Sequence, residues 1–411
     1  WQRGLPRWRR VLLTHGFMSL VMLPLGAWWF GGSSVIAGLA NLVMIPLIGL
    51  VVVPLALLAV VCMYLIPAAE LPLWQLAAWP LQQLTPLARA LTQANDWLYQ
   101  PFRGSLADVL LAAAGILLVI LPLPLRTRAL ALLLVLPLLL PADFRAGFPQ
   151  PAQAPGLLRV AVLDVGQGTA VVISSGPRVL VYDTGGGDPA GVTMADSVVL
   201  PYLRERGASA LDTLVISHPD NDHSAGAAAL LGAMPTSRVY FGGEWQAADG
   251  ARPCLAGHAW RWPGGLQFQF LSPVPGPGGA GPSNDSSCVL QIEAAGYRLL
   301  LAGDVESPQE RELVRYWGQG LASDWLLVAH HGSRTSSSWA LLKAVSPSVA
   351  AISRGYANRF GHPHEDVLAR FEQAGVRVYD TASGGALEFE FVPGEAVKVA
   401  LRREQHKRFW M

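Results

Sequence analysis

The chain has 411 residues, 52% of them hydrophobic and only 14% charged, with a mean hydropathy of +0.34 and a formal net charge of +1. That composition excludes a single ordinary soluble domain. The near-zero charge also excludes a general polyelectrolyte grip on nucleic acid, so any DNA contact must come from local patches or a metal site. Three cysteines are too few for a disulfide-built mini-fold. Residues 1–150 hold nine arginines, no lysine and four acidic side chains, a formal +5, whereas residues 151–411 hold 21 basic and 25 acidic ones, a formal −4. Trp1 opens the chain without a cleavable secretory pattern, which points to a piece of a longer protein.

Residues 11–30 carry no Asp, Glu, Lys or Arg over about 20 positions, enough to cross a hydrocarbon core, and Arg3, Arg7, Arg9 and Arg10 before them favour a cytoplasmic start. The next uncharged run, 34–66, is too long for one simple crossing and too short for two, and Pro46 and Pro54 punctuate it. A broken or re-entrant pair is expected. Residues 71–98 mix Trp74, Trp79 and leucines with Gln, Thr and Asn, as in an interfacial or pore-facing helix. Residues 106–125 are a further candidate span despite Asp108, and Arg126 and Arg128 precede the short apolar run 129–140. If 34–66 returns to its side of entry, Arg126 and Arg128 come out cytoplasmic. The last short crossing then delivers the C-terminal half to the external face.

The stretch PADFRAGFPQPAQAP, 141–155, has the composition of a linker. The expected organisation is a partial polytopic transmembrane region over 1–142, a linker over 143–155, an α/β domain over 156–403 and a basic, aromatic tail over 404–411. Arg402, Arg403, Lys407 and Arg408 read as a basic terminal patch beside Phe409 and Trp410.

In the C-terminal half, β-branched and aromatic runs predict strands at 159–165, 170–174, 178–182, 213–217, 238–241, 266–271, 288–293, 298–302, 325–329, 349–352 and 387–392. Helical patterns fall at 194–205, 224–234, 307–317, 337–345 and 365–373. Strand clusters separated by a few helices suggest two sheets covered by helices.

Chemistry concentrates just after strand ends. In LDTLVISHPDNDHSAG a strand is followed by His218, Asp220, Asp222 and His223, two imidazoles and two carboxylates that suit a divalent first-row metal. The bland reading is an acidic turn with a helix cap. VLVYDTGGG places Asp183 before three glycines, where a carboxylate orients a ligand. RLLLAGDVE ends at Asp304, whose carboxylate can bridge two ions, and WLLVAHHGSRTSSS ends at His330 and His331. Singly these are ordinary turn residues or hydrogen-bonded strand ends, but four such endings in one domain make accident a poor account. Cys254 and Cys288 can pair in an oxidising compartment, whereas Cys62 reads as an inert packing residue.

The order Asp183, His218-x-Asp220-x-Asp222-His223, Asp304, His330-His331 resembles the metallo-β-lactamase superfamily. More narrowly, DVGQG at 164–168, Asp in place of His at 220, AGD at 302–304 and HHGS at 330–333 resemble the C-terminal domain of ComEC-type DNA-internalisation proteins. GLANLVMIPLIGLVVVPLALL, 38–58, is similar to that family's competence region. The resemblance implies a polytopic α-helical membrane segment followed by an α/β metallo-β-lactamase-like αββα sandwich. It also implies two divalent ions, with His218 and Asp220 on the first, Asp222 and His223 on the second, Asp304 bridging, and either His330 or His331 completing the second. Where many superfamily members supply a further histidine, this chain has SNDSSCVL, with Asn284, Asp285, Ser286 and Ser287. An oxygen-rich shell favours manganese or magnesium, with zinc the alternative.

A bridged pair of ions activates water for in-line attack on a phosphodiester, so DNA hydrolysis is the expected chemistry, with Asp222 and Asp304 at its centre. His362 or His364 of GHPHEDV is placed to protonate the leaving oxygen or to contact phosphate, with helix capping as the alternative. Ser333, Arg334, Thr335 and Ser336 have the groups to hold a backbone phosphate, or form a solvated loop. The expected protein is an inner-membrane DNA-uptake component with its nuclease domain on the periplasmic face. Its partners would be DNA, lipid, other uptake proteins and the missing N-terminal part of the same protein. The alternatives are a DNA channel whose soluble domain is inactive, and a membrane-tethered hydrolase of another phosphodiester or ester.

Overall fold

A computed structural model describes residues 6–30, 32–34, 37–94, 99–101, 106–139, 157–243, 250–274 and 283–405. The chain forms two compact units, Trp1–Gln150 and Pro151–Met411. The expected linker over 143–155 and tail residues 406–411 lie outside the described residues.

The first unit is helical apart from a short antiparallel pair, β1 (Gly32–Ser34) with β2 (Tyr99–Pro101). The expected break within 34–66 is not there. Ala37–Leu47, the π turn Ile48–Val52 and Val53–Leu65 follow one another with right-handed helical backbone at both junctions. Pro46 and Pro54 flank the π turn, whose wider hydrogen bonding accommodates donors that proline lacks. Among the described residues Ala40–Leu65 is long and apolar enough to cross a membrane, about 39 Å at the helical rise. The helix Leu106–Ile120 has 15 residues, shorter than the span expected over 106–125. The described part of the run 129–140 holds no long helix either. Leu125–Ala131, Leu132–Leu134 and Leu136–Leu139 fold back along Leu106–Ile120. Gly115 permits that approach, since a Cβ there would lie 2.7 Å from the Ala131 carbonyl oxygen. Residues 67–94 form one helix that holds Pro72, Pro80 and Pro86.

The second unit contributes β3 (Leu158–Val162), β4 (Val171–Ser175), β5 (Arg178–Tyr182), β6 (Thr213–Ile216), β7 (Val239–Phe241), β8 (Arg252–Pro253), β9 (Ala259–Arg261) and β10 (Gln267–Phe270). It continues with β11 (Leu290–Ala294), β12 (Tyr297–Leu301), β13 (Trp325–Leu327), β14 (Val349–Ile352), β15 (Arg377–Asp380), β16 (Leu387–Phe391) and β17 (Lys398–Leu401). One sheet runs β17-β16-β3-β4-β5-β6-β7-β8 and the other β15-β14-β13-β12-β11-β10-β9. Both are mixed: β5 to β8 pair in parallel, as do β12 to β15, and the other pairings are antiparallel.

The two-residue period of a strand explains the layering. Leu158, Val160 and Val162 join Phe268, Phe270, Leu290, Ile292, Leu299 and Leu301 in one core between the sheets. Their alternates, Ala161 on β3 and Leu300 on β12, face outward into two further cores. Those outer cores are covered by Ala195–Val199, Leu200–Glu205 and Ala227–Ala233 on one side and by Ser307–Trp317, Trp339–Val345 and Glu365–Gln373 on the other. The result is the expected αββα sandwich. Arg402 and Arg403 are not part of a loose basic tail. They start a short helix, where Arg402 meets Glu388 at 2.9 Å and Arg403 meets Asp164 at 3.0 Å.

Candidate metal centre

Parallel strands present their carboxyl ends, and the loops leaving them, on one side of a sheet, which is where open α/β sheets gather ligands. β5, β6, β12 and β13 all end at the same cluster. Asp183 follows β5 in left-handed backbone at φ 61 and is fully buried. Its carboxylate accepts from the Ser217 backbone N–H at 2.6 Å and the Ser217 hydroxyl at 2.8 Å, and lies 2.8 Å from His223 Nδ1. A proton on Nδ1 donated to Asp183 leaves His223 Nε2 with its lone pair turned inward, 3.2 Å from Asp304 Oδ2. Ser217 Oγ also stands 3.0 Å from His218 Nδ1, which turns that ring's Nε2 the same way.

Nε2 of His218 and Nε2 of His223 are both buried without a hydrogen-bond partner. Buried polar atoms are nearly always paired, so two orphaned ring nitrogens beside carboxylates fit a cation site. His218, His223 and Asp304 bring their ligand atoms within 4.8 Å of one another, and Asp222, His223 and His331 do the same. Burial opposes the charge on Asp304, yet His223 and His331 outweigh it and hold that carboxyl well below the ordinary range. Asp222 is likewise held down at about 2, against its burial, by the His331 hydrogen bond and the His223 charge. Burial pushes His223 down, but Asp304 and Asp183 raise it well above the ordinary imidazole value. The carboxylates thus hold a surplus of negative potential that a cation can neutralise.

The two neighbouring histidines separate cleanly. Both occupy left-handed backbone, at φ 52 and φ 54, so the chain turns sharply and splays their rings. His331 is buried, with Nδ1 at 2.9 Å from the Ser353 carbonyl and Nε2 at 3.2 Å from Asp222 and 3.6 Å from Asp304. His330 is partly exposed, its Nδ1 3.5 Å from Glu306 and its Nε2 3.8 Å from Asp304. The second group therefore contains His331 and not His330. Asp220 Oδ2 lies 3.5 Å from His218 Nε2 but belongs to neither close group.

The other expected site residues divide. The His362 ring stands 5.7 Å from His330 and 6.4 Å, near parallel, from His331. Burial lowers its pKa to about 4, and His330 and His331 add to the shift. His364 instead caps the helix Glu365–Gln373, its ring nitrogen accepting from the Asp366 N–H. Ser336 is buried and spends its hydroxyl on the Ala329 and Ser333 carbonyls, so it braces the loop. Ser333 is also buried and pairs with Thr335, while Arg334 is exposed and 3.4 Å from Asp366. Ser287, in the stretch that lacks the further histidine, accepts from the Asp304 N–H at 3.1 Å. Ser217, Glu306 and Ser353 are the neighbours that sequence reasoning missed. DVGQG and the residue after it brace the candidate ligand loop: Thr169 N–H donates to the Asp222 carbonyl, and Ser353 Oγ to the Gly168 carbonyl.

Cys254 and Cys288 form a disulfide. Cys288 N–H donates to the Ser217 carbonyl, so the bridge lies one residue from both Ser287 and the ligand loop.

Residues 163–356 match the metallo-beta-lactamase superfamily, which defines the class of the second unit and implies divalent metal ions. Residues 1–140 match the Competence protein family. Both parts are thus matched, a Competence protein region followed by a metallo-β-lactamase domain, an arrangement similar to that of ComEC-type competence proteins. The chain is 39% identical over 251 residues to the competence protein ComA of Neisseria gonorrhoeae, covering 61% of this chain and 34% of that protein. It is 38% identical over 234 residues to recombination protein 2 of Haemophilus influenzae, covering 57% and 29%, and 30% identical over 261 residues to ComE operon protein 3 of Bacillus subtilis, covering 56% and 33%. The matched region thus spans about a third of each relative's length.

Proposed function

We propose that this chain is part of an inner-membrane DNA-uptake protein, a polytopic helical segment contributing to a single-strand conduit, joined to a metal-dependent nuclease domain on the external face. The observation that carries the hydrolytic reading is the pair of orphaned nitrogens, His218 Nε2 and His223 Nε2, turned onto Asp304. His218, His223 and Asp304 would hold a divalent ion, with Asp222, His223 and His331 as an alternative position for it, since the one inward lone pair of His223 serves a single ion. Bound ions of this kind acidify a water and stabilise charge on phosphate oxygens. The chain supplies the rest: Asp183 and Ser217 fix the imidazole rings, Ser353 fixes His331, and His362, neutral at pH 7, stands at the rim to contact a phosphate through its ring N–H. Arg334 and Thr335 remain available for the phosphodiester backbone. With Asp220 outside the close groups, three imidazoles stand against two carboxylates, a shell richer in nitrogen than the sequence suggested, which favours manganese over magnesium and keeps zinc as the competitor. The Cys254–Cys288 bridge supports an oxidising, external compartment.

The test is metal-dependent release of nucleotides from linear DNA by residues 151–411. Asp222→Ala should lower that activity at least 100-fold, consistent with loss of a group acting at the reacting centre. Unchanged cleavage rejects the centre. A second reading, a DNA channel with an inactive soluble domain, is favoured by the Ser287 contact standing where a further ligand is absent. Inactivity with every divalent metal would support it, and turnover confined to a small diester would point to another substrate.

A further inference from the structure

We infer that the loop between β14 and the helix Glu365–Gln373 is a stacking platform for unpaired DNA bases, with Tyr356 and Phe360 as its rings and Arg359 and Arg334 as phosphate contacts. This rests on the DNA-hydrolysing reading and adds a preference for single strands and frayed ends over intact duplex.

Two large aromatic side chains lie four residues apart in open solvent, Tyr356 at 84% and Phe360 at 55% exposure. The loop presenting them is clasped. The Asn358 side chain donates to the Gly355 and His362 carbonyls and accepts from the His362 N–H, and Gly355 N–H donates to Gln167 of the DVGQG turn. Arg354 pairs with Asp380 at 2.8 Å at the start of the loop. The rings are therefore held out by a braced turn, and ordering them costs a ligand little.

A series of rings runs from this rim to the buried ligands. Phe360 lies 5.7 Å from His362 at an interplanar angle of 25°, His362 lies 6.4 Å from His331 at 22°, His331 is 5.2 Å from His223, and His223 is 4.2 Å from His218. The series thus leads from the exposed rim to the metal centre, its two inner pairs tilted at 38° and 49°. The Arg359 guanidinium covers the Phe360 ring at 4.9 Å, and Arg334 stands on a loop packed against this one, where His364 N–H donates to the Gly332 carbonyl. Alternating cations and exposed ring faces suit a strand with a phosphate after every base, because each base has a π face and each linkage a negative charge. In duplex DNA those faces are buried in the base stack.

The experiment uses the full chain in detergent and a fluorescent thymidine oligomer of roughly 12 nucleotides. In anisotropy titrations the Tyr356→Ala/Phe360→Ala double variant should bind the oligomer roughly 10- to 100-fold more weakly. Affinity for a blunt hairpin duplex should stay within about twofold, and Phe360→Trp should bind the oligomer like the parent. Manganese-dependent hydrolysis of bis(p-nitrophenyl) phosphate by the same samples should be unaltered in the double variant, which shows an intact centre. If the parent hydrolyses neither diester nor DNA, the hydrolase reading fails, while ring-dependent oligomer binding still supports the platform. Equal oligomer affinity in parent and double variant overturns it. So does a parent that binds no oligomer, or ring-dependent binding to anionic phosphatidylglycerol vesicles in place of DNA.

Discussion

One hydroxyl, Ser217 Oγ, lies 2.8 Å from Asp183 Oδ2, 3.0 Å from His218 Nδ1 and 3.3 Å from His223 Nδ1. It ties a carboxylate to two imidazoles and so sets which ring nitrogen each histidine offers inward. Outer contacts of this kind orient metal ligands and raise their basicity. Asp183→Asn tests the point, because Asn tolerates the left-handed backbone at 183 while losing the charge that holds the His223 Nδ1 proton. Metal affinity, measured by competition with a chromophoric chelator, should fall about 10- to 100-fold. An unaltered affinity removes Asp183 as the orienting group. The candidate ligands were legible because His and Asp at strand ends are chemically conspicuous. Ser217 and Ser353 were not, since one acts through a common hydroxyl and the other through a backbone carbonyl.

Among the elements, the turn after β3 shows why a motif without reactive groups belongs to this centre. Gly168 sits at φ 136, and a Cβ there would lie 2.4 Å from the Asp222 carbonyl oxygen. Gly168→Ala should therefore displace the Asp222 loop and cost about 1–3 kcal/mol, visible as a lower midpoint in chemical denaturation together with weaker metal binding. A variant with unchanged midpoint and metal affinity would show that the turn yields freely. The strands of the two sheets were readable from their alternation, and β14 spans 349–352 in both the sequence pattern and the fold. The short edge strands β8, β9 and β17, with β15, escaped notice because few of their side chains enter the core between the sheets. The run 34–66 misled through its prolines: a π turn carries the helix past Pro46 and Pro54, and local sequence does not register that widening.

Across the second unit, Glu388 on β16 gathers Arg206, Arg402 and the Tyr202 hydroxyl, joining a sheet strand to one outer helix and to the C-terminal helix. Burial works to raise its pKa, but the Arg206 and Arg402 contacts lower it below the ordinary glutamate value. A folded pKa below the unfolded one gives stability that is present above the unfolded value and disappears as pH falls through the folded one. Glu388→Gln should thus cost about 0.5–1 kcal/mol at neutral pH, given the partial exposure of the cluster, and the deficit should close in acid. Denaturation curves of both proteins across pH check this, and a deficit that persists at low pH refutes the assignment. For the whole chain, the proposed external placement predicts that Tyr316→Cys, on an exposed helix face, is labelled in intact cells whose outer envelope is permeabilised, by a thiol reagent that does not cross the inner membrane. Labelling only after inner-membrane disruption reverses the sidedness. The sequence alone determined the apolar first half, the layered α/β second half and the ordered set of candidate His and Asp ligands, because hydropathy, strand alternation and reactive side chains are local properties of the chain. Only the tertiary structure decided that His331 and not His330 joins the Asp222–His223 group, that Ser336 bonds within its loop and His364 caps a helix, and that Cys254 reaches Cys288. Each of these depends on backbone turns and on contacts between segments distant in the chain, which no local pattern encodes.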